Sequence, residues 1–275
     1  MKTLDTLIED IYAVFDKDVT VPPEEIQAFG DNLARTLSDK LTKQEPRLRL
    51  SNVGSPCRRR LWYSIRCPEL GEKLSGPARI KFLIGDITEA VIIFLAKLAG
   101  HCVRDEQQTV EVHGIQGHLD GTIDGEVVDV KSASPASFKK FQKGLSRETD
   151  GFGYLSQIGG YAQAKGKNNG HFLAVDKVLG TLHIDSHSNL PVISPDHAQE
   201  IRNLLDQDTP PDRGFTDEKQ GESGNRALGF VCSYCEFKHR CWPGLQVYPY
   251  VKGPVYFTKV VKEPVLRGKR DQGPG

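Results

Sequence analysis

GHLDGTIDGEVVDVKS, from Gly117 to Ser132, is the stretch whose reading decides the fold. Asp124-Gly125 supplies the backbone angles of a tight turn, so the run predicts two β-segments folded back on each other. Val127, Val128 and Val130 mark the second segment as a buried strand. Side chains two apart in a strand share a face, which sets Asp129 beside Lys131 and leaves Val128 and Val130 for the core. Antiparallel pairing then brings Asp120, at the end of the first segment, next to both. Two carboxylates and an amine converging at a sheet edge suit Mg²⁺ or Mn²⁺, with a lysine near the attacking water. Taken alone, an Asp-x-Lys pair is more often a solvated hairpin, so its surroundings decide.

Upstream, IKFLIGDITEAVIIFLAKLAG (Ile80–Gly100) has helical spacing of Phe82, Leu83, Ile87, Val91, Phe94, Leu95 and Leu98. Glu89 interrupts this apolar run. A carboxylate there is costly unless paired or metal-bound, which makes Glu89 a candidate third ligand against the alternative of a helix's polar side. Downstream, GYLSQIGGYAQAKG (Gly153–Gly166) places Gln157 and Tyr161 four apart on one helix face. Their amide and phenol suit positioning a water or a phosphate by hydrogen bonds.

The order Glu89, Asp120, Asp129-Val130-Lys131, Gln157-x-x-x-Tyr161 resembles the PD-(D/E)XK nuclease superfamily, specifically its RecB-like exonuclease branch. The resemblance covers roughly Gly85 to Tyr161 and implies a restriction-endonuclease-like core. It also implies that Glu89, Asp120, Asp129 and the Val130 carbonyl hold one or two Mg²⁺ or Mn²⁺ ions. Lys131 would then orient water or stabilise developing charge, and Gln157 and Tyr161 would steady the water or the strand. One departure is Thr88, which stands where many members carry a histidine before the Glu, so Glu89 takes the place of that imidazole in the metal set.

Three of the six cysteines crowd into VCSYCEFKHRCWPG as Cys232, Cys235 and Cys241, a C-x2-C-x5-C spacing, and Cys57 lies far upstream in SNVGSPCRRRLWYS. Four thiolates suit either Zn²⁺ or a [4Fe–4S] cluster, and His239 offers zinc a fourth ligand without Cys57. Disulfides are a third reading, but nothing in the sequence suggests secretion. One early cysteine and three late ones around a nuclease core resemble the iron–sulfur RecB-family nucleases, AddB-type subunits and CRISPR-associated exonucleases among them. That resemblance implies a [4Fe–4S] cluster on Cys57, Cys232, Cys235 and Cys241. Cys67 and Cys102 read as free thiols, with Cys102 buried.

Balanced charge, 36 basic against 36 acidic residues in 275, does not advertise nucleic-acid binding, but local clusters do. Arg58, Arg59 and Arg60 form one, with Trp62 and Tyr63 beside them as stacking or core residues. Lys139, Lys140, Lys143 and Arg147 form another, directly after the Asp-x-Lys strand, where phosphate guidance is the better reading. No apolar run is long enough to cross a bilayer, and the N-terminus does not look like a signal peptide, so a cytoplasmic protein is expected (host cytoplasm if phage-encoded).

The expected fold class is α/β: a central mixed β-sheet flanked by helices, an N-terminal helical part (1–50), a core (51–245) with a C-terminal iron–sulfur segment, and a tail (246–275). Leu4, Leu7, Ile8, Ile11 and Phe15 form one helical stripe, and Ser55-Pro56 reads as a helix start. Helices are expected at about 78–100, 135–145, 151–166 and 196–206, and strands at about 107–113, 115–123, 126–132, 170–177 and 180–187. A polar loop precedes the cysteines. The expected activity is a metal-dependent DNA exonuclease acting on single-stranded DNA or a free end. The rivals are a structure-selective endonuclease, a non-catalytic DNA-binding subunit and a zinc-binding transcription factor.

Overall fold

The computed structural model describes residues 2–42, 45–250 and 253–264. In chain order its elements are α1 Leu4–Ala13, α2 Pro23–Leu41, α3 Leu50–Val53, α4 Arg58–Arg66, α5 Gly76–Leu98, β1 Val103–Arg104, β2 Thr109–Val112, β3 Ile115–His118, β4 Gly121–Ile123 and β5 Glu126–Ala133. There follow α6 Pro135–Gln142, α7 Tyr154–Ala164, β6 Asn169–Asp176, β7 Leu182–Ser188 and α8 Pro195–Leu205. The remainder comprises β8 Glu218–Lys219, β9 Arg226–Ala227, α9 Phe230–Ser233, α10 Lys238–Cys241, β10 Gln246–Tyr250 and β11 Gly253–Lys259. Two compact units result, one taking the described residues up to Gly54 with Leu74–Arg202, the other Ser55–Lys73 with the residues from Asn203 on.

The first unit is built on the Asp-Gly hairpin. Asp124 and Gly125 both take left-handed angles (φ 53° and 85°), which closes β4 onto β5 with Ile123 opposite Glu126. Asp124 is steadied in this conformation by the Cys102 N–H (2.9 Å) and the His101 ring (2.6 Å). The sheet runs β1-β4-β5-β6-β7 and is antiparallel except where β5 and β6 pair in parallel. That parallel step requires a crossover, and α6 and α7 supply it. On one face, Leu7 and Ile11 of α1 and Ile92, Ile93 and Ala96 of α5 pack on Ile123, Val128, Val130, Leu173 and Val175. Each buried Val, Leu or Ile side chain among them contributes about 1.5–3 kcal/mol by leaving water. Facing α6 and α7, Phe172 meets Phe141 (5.6 Å) and Tyr154 (6.3 Å) between ring centroids.

The second unit contains α4 and a four-stranded antiparallel sheet, β10-β11-β9-β8. Trp62 and Tyr63 are core residues here, packed with Cys235 and Phe237, which excludes base stacking for either.

Several expectations need correction. The expected strand over 115–123 breaks after His118: β3 pairs with β2 in a separate ribbon, and β4 joins the main sheet. Leu119 is fully buried, and its N–H donates to the Gln108 carbonyl at 3.0 Å, which turns the chain there. Helix α4 starts at Arg58 with Cys57 in the cap position, because the Ser55 hydroxyl is spent donating to the Cys57 carbonyl. Phe15 lies outside α1 and is 72% exposed, and Phe82 is 62% exposed, while Ile92, Ile93 and Ala96 form the buried stripe of α5. Cys102 is exposed, not buried. The polar stretch before the cysteines contains β8 and β9, with Asp217 gripped by Arg226 (2.7 Å) and Thr258 (2.5 Å). The expected tail from 246 contains β10 and β11, and the Val261 and Lys262 N–H groups donate to the side-chain Oδ1 of Asn225. Residues 265–275 of that tail lie outside the described residues. Among the described residues, no helix is long and apolar enough to cross a membrane.

Candidate active site and thiol cluster

The β4–β5 register continues past Gly121–Val128, setting Asp120 beside Asp129 and Val130. Asp120 Oδ2 accepts the Val130 N–H at 2.8 Å, so the carboxylate that ends one segment is tied to the backbone of the other. Asp129 is fully buried and ion-paired with Lys131 on the same face of β5. Its Oδ2 is sealed from solvent and lacks a hydrogen bond of ordinary geometry. Gln157 Nε2 lies 3.4 Å from Asp129 Oδ1 and 3.1 Å from the Tyr161 hydroxyl, so α7 delivers both residues to the same place. Close approach is permitted by Gly117, where a Cβ would stand 2.8 Å from both the Tyr161 ring and Leu50.

Glu89 completes the group from α5. Its carboxyl is raised to about 7, first by burial and then by the Asp129 charge. Asp120 is pushed well above the usual carboxylate range, first by burial and then by Asp129 and Glu89. For Lys131, burial disfavours the ammonium, but the Asp129 and Asp120 charges outweigh it and hold the amine above its ordinary value. Burial, reinforced by Asp129, also raises the Tyr161 phenol, so it stays a neutral hydrogen-bonding group. With all ionised, three carboxylates face one ammonium, and the excess of two negative charges is what a divalent cation balances. The donor set therefore fits a hard cation. Val130 enters through its backbone, its side chain being in the core.

Sequence reasoning missed four neighbours. Gln107 donates to Glu89 Oε1 at 2.7 Å from a left-handed backbone (φ 53°). Asp86, one turn before Glu89, pairs with Lys40 at 2.9 Å and adds to the charge that lifts Glu89. The Tyr154 ring lies 5.0 Å from the Lys131 ammonium. Asp150 organises the start of α7 through four backbone N–H groups. Only Asp86 carried a signal, the i, i+3 spacing to Glu89 on a helix.

In the second unit, Cys57, Cys232, Cys235 and Cys241 line one cavity of about 400 Å³, part of it open solvent, with Arg59, Arg60, Arg213 and Lys238 also in its wall. The Cys232 thiol is raised by burial and then by Cys57, and burial pushes Cys235 up to about 12. Burial opposes deprotonation of these thiols, so a metal would have to displace their protons on binding, while the cationic wall suits the anionic thiolate set that results. Cys67 packs beside the cavity without lining it. His239 does not line it either: it faces Glu72 at 3.1 Å and the edge of Tyr256. Among the described residues, no three Cys, His, Asp or Glu side chains stand at closed ligand spacing. In the first group this has a physical reason, since Lys131 and the Val130 N–H occupy the carboxylates.

Of the basic residues, Lys139, Lys143 and Arg147 are exposed, whereas Lys140 reaches the Thr149 carbonyl at 3.3 Å. Arg59 donates to the Pro211 carbonyl at 2.6 Å, and Arg60 pairs with Glu236 at 3.0 Å, so this cluster is largely internal to its unit.

No family model and no curated protein matches the chain. Among solved structures it is similar to the crystal structure of SSO0001, with 16% identity and a TM-score of 0.41 over 78% of this chain and 93% of that one. It is also similar to an alkaline exonuclease from Laribacter hongkongensis, with 13% identity and a TM-score of 0.35 over 61% and 88% of the two chains. The same exonuclease in complex with dAMP gives 13% identity and a TM-score of 0.38 over 58% and 85%.

Proposed function

We propose that this chain is a metal-dependent deoxyribonuclease, and specifically an exonuclease acting on single-stranded DNA or a free end. The observation that carries the reading is the convergence of Glu89, Asp120 and Asp129 on the Lys131 ammonium, with Gln157 and Tyr161 hydrogen-bonded beside them. Glu89, Asp120, Asp129 and the Val130 carbonyl are the groups that would hold Mg²⁺ or Mn²⁺. When bound, such an ion acts as a Lewis acid toward the phosphate and lowers the pKa of a coordinated water. Lys131, kept protonated by its carboxylates, places positive charge where negative charge develops on the phosphate. Gln157 fixes the orientation of the Asp129 carboxylate and of the Tyr161 hydroxyl, whose neutral phenol remains a donor. The burial of Asp129 keeps bulk water from screening these charges.

The same proposal assigns a structural [4Fe–4S] cluster to Cys57, Cys232, Cys235 and Cys241, supported by their shared cavity and by the exclusion of His239 from its lining. A cytoplasmic setting agrees with keeping these thiols available for metal.

The test is digestion of end-labelled linear DNA and of covalently closed circles with Mg²⁺ or Mn²⁺ and with chelator. Release of labelled mononucleotides or short products from linear substrate only supports the exonuclease. Nicking of circles with equal efficiency favours the endonuclease on the same fold, and DNA binding without cleavage in either metal favours a non-catalytic subunit.

A further inference from the structure

We infer that Gln107 is a positioning residue for the metal centre, restraining the Glu89 carboxylate through a neutral hydrogen bond, an assignment that rests on the nuclease reading above. Gln107 Nε2 donates to Glu89 Oε1 at 2.7 Å from the loop between β1 and β2. A carboxylate that ligates a metal is commonly held by such a bond, which fixes its orientation before the ion arrives. The backbone points to the side chain as the reason for this residue. Gln107 is left-handed (φ 53°), a region that glycine enters freely and glutamine rarely. The fold thus accepts an unfavourable angle at a loop position whose amide reaches Glu89.

Its neighbours impose that angle. Asp105 pairs with Lys165, just past α7, at 2.9 Å and accepts the Thr122 hydroxyl of β4 at 3.1 Å. Glu106 pairs with Lys97 of α5 at 2.6 Å. The Gln108 carbonyl accepts the Leu119 N–H at 3.0 Å, and its side-chain Oε1 accepts the Lys165 ammonium at 3.2 Å. The Gln108 N–H closes the turn onto the Asp105 carbonyl at 3.1 Å. Asp105, Glu106 and Gln108 are therefore tied to the unit that carries the carboxylates, and between them Gln107 is aimed at Glu89. A neutral donor is also the chemistry the site needs. A lysine or arginine in this place would cancel charge that a divalent cation is there to balance, whereas an amide orients the carboxylate and leaves its charge for the metal.

The experiment uses the full chain and reads Mn²⁺ binding from the electron paramagnetic resonance signal of the free ion, melting in chelator, and cleavage of a single-stranded oligonucleotide over a range of Mn²⁺. Gln107→Gly removes the amide and relieves the backbone. It should bind Mn²⁺ about 10- to 100-fold more weakly while melting no lower than wild type. Added Mn²⁺ should restore its cutting rate, with the KM for DNA unchanged. Gln107→Met keeps the length without the donor and should lose Mn²⁺ affinity to a similar degree. Either variant binding Mn²⁺ as wild type does would overturn the assignment. So would a loss confined to the KM for DNA that Mn²⁺ does not rescue, which would make Gln107 a DNA contact. Asp129→Ala is run alongside. If wild type binds Mn²⁺ and cuts while Asp129→Ala does neither, the nuclease reading stands and the Gln107 variants judge this inference alone. If wild type neither binds Mn²⁺ nor cuts, the nuclease reading falls and the inference with it.

Discussion

Asp120 accepts the backbone N–H of Val130 at 2.8 Å, so one catalytic candidate is positioned by the strand that carries Asp129 and Lys131. The two halves of the site are thereby locked in register, and a shift of β4 against β5 by one residue would dismantle it.

Replacing Asp120 or Asp129 by Ala should lower the DNA-cleavage rate by more than about ten-fold, since loss of a catalytic-metal ligand typically removes far more than that. Circular dichroism should show folded protein in both cases. Lys131→Met should depress kcat while leaving the Kd for DNA within about three-fold; a variant weakened mainly in Kd would make Lys131 a phosphate-binding residue only.

Glu89 carries a pH dependence whose sign can be worked out. Its carboxyl is raised from an ordinary value of 4.5 to about 7 in the folded protein. Between those values the folded state holds a proton that the unfolded chain has released, so stability falls as pH rises through the window, and the penalty is complete above it. In chelator, Glu89→Gln should therefore melt above wild type at about pH 8 and converge with it at about pH 4.5. Mn²⁺ should raise the wild-type Tm most above pH 7, where the carboxylates are ionised to receive it. Differential scanning fluorimetry across that range reads both effects.

Anaerobically purified protein should contain about four irons per chain if Cys57, Cys232, Cys235 and Cys241 share a cluster. Ala at any of the four should reduce iron content and Tm together, while Cys67→Ala and Cys102→Ala should leave iron unchanged. One zinc per chain by elemental analysis would replace the cluster with a tetrahedral site.

Removing Lys139, Lys143 and Arg147 together should flatten the salt dependence of single-stranded DNA binding by about 0.7 for each phosphate no longer neutralised, or roughly two in the log–log slope. Lys140→Ala should change the slope little, because its amine is turned toward the Thr149 carbonyl. Fluorescence anisotropy at several salt concentrations measures both.

The sequence made β5, its turn and the Asp129–Lys131 face legible because each is a local pattern: Asp-Gly for the turn, period two for the face. Gln157 and Tyr161 were legible through helical spacing, and Cys57 through its resemblance to a ligand set. The break after β3 was hidden because Ile115, Gly117 and Leu119 alternate as an unbroken strand would, all three being buried. In α5 the run from Ile80 to Leu95 is apolar on nearly every side, so periodicity could not choose Ile92 and Ile93 over Phe82. Gln107 and Tyr154 reach Glu89 and Lys131 only through tertiary folding, and no spacing in the chain announces such meetings.

The second unit is assembled from Ser55–Lys73 and the residues from Asn203 on, with the whole of α5 to β7 made in between. During synthesis, therefore, Cys57 emerges long before its partners. The sheet bearing Asp129 has all its strands once β7 is complete, so it can fold while Cys57 still waits as a single thiol. Under the proposed cluster, metal loading at the four cysteines would follow the folding of that sheet, and iron supply would set how long newly made molecules stay half-assembled.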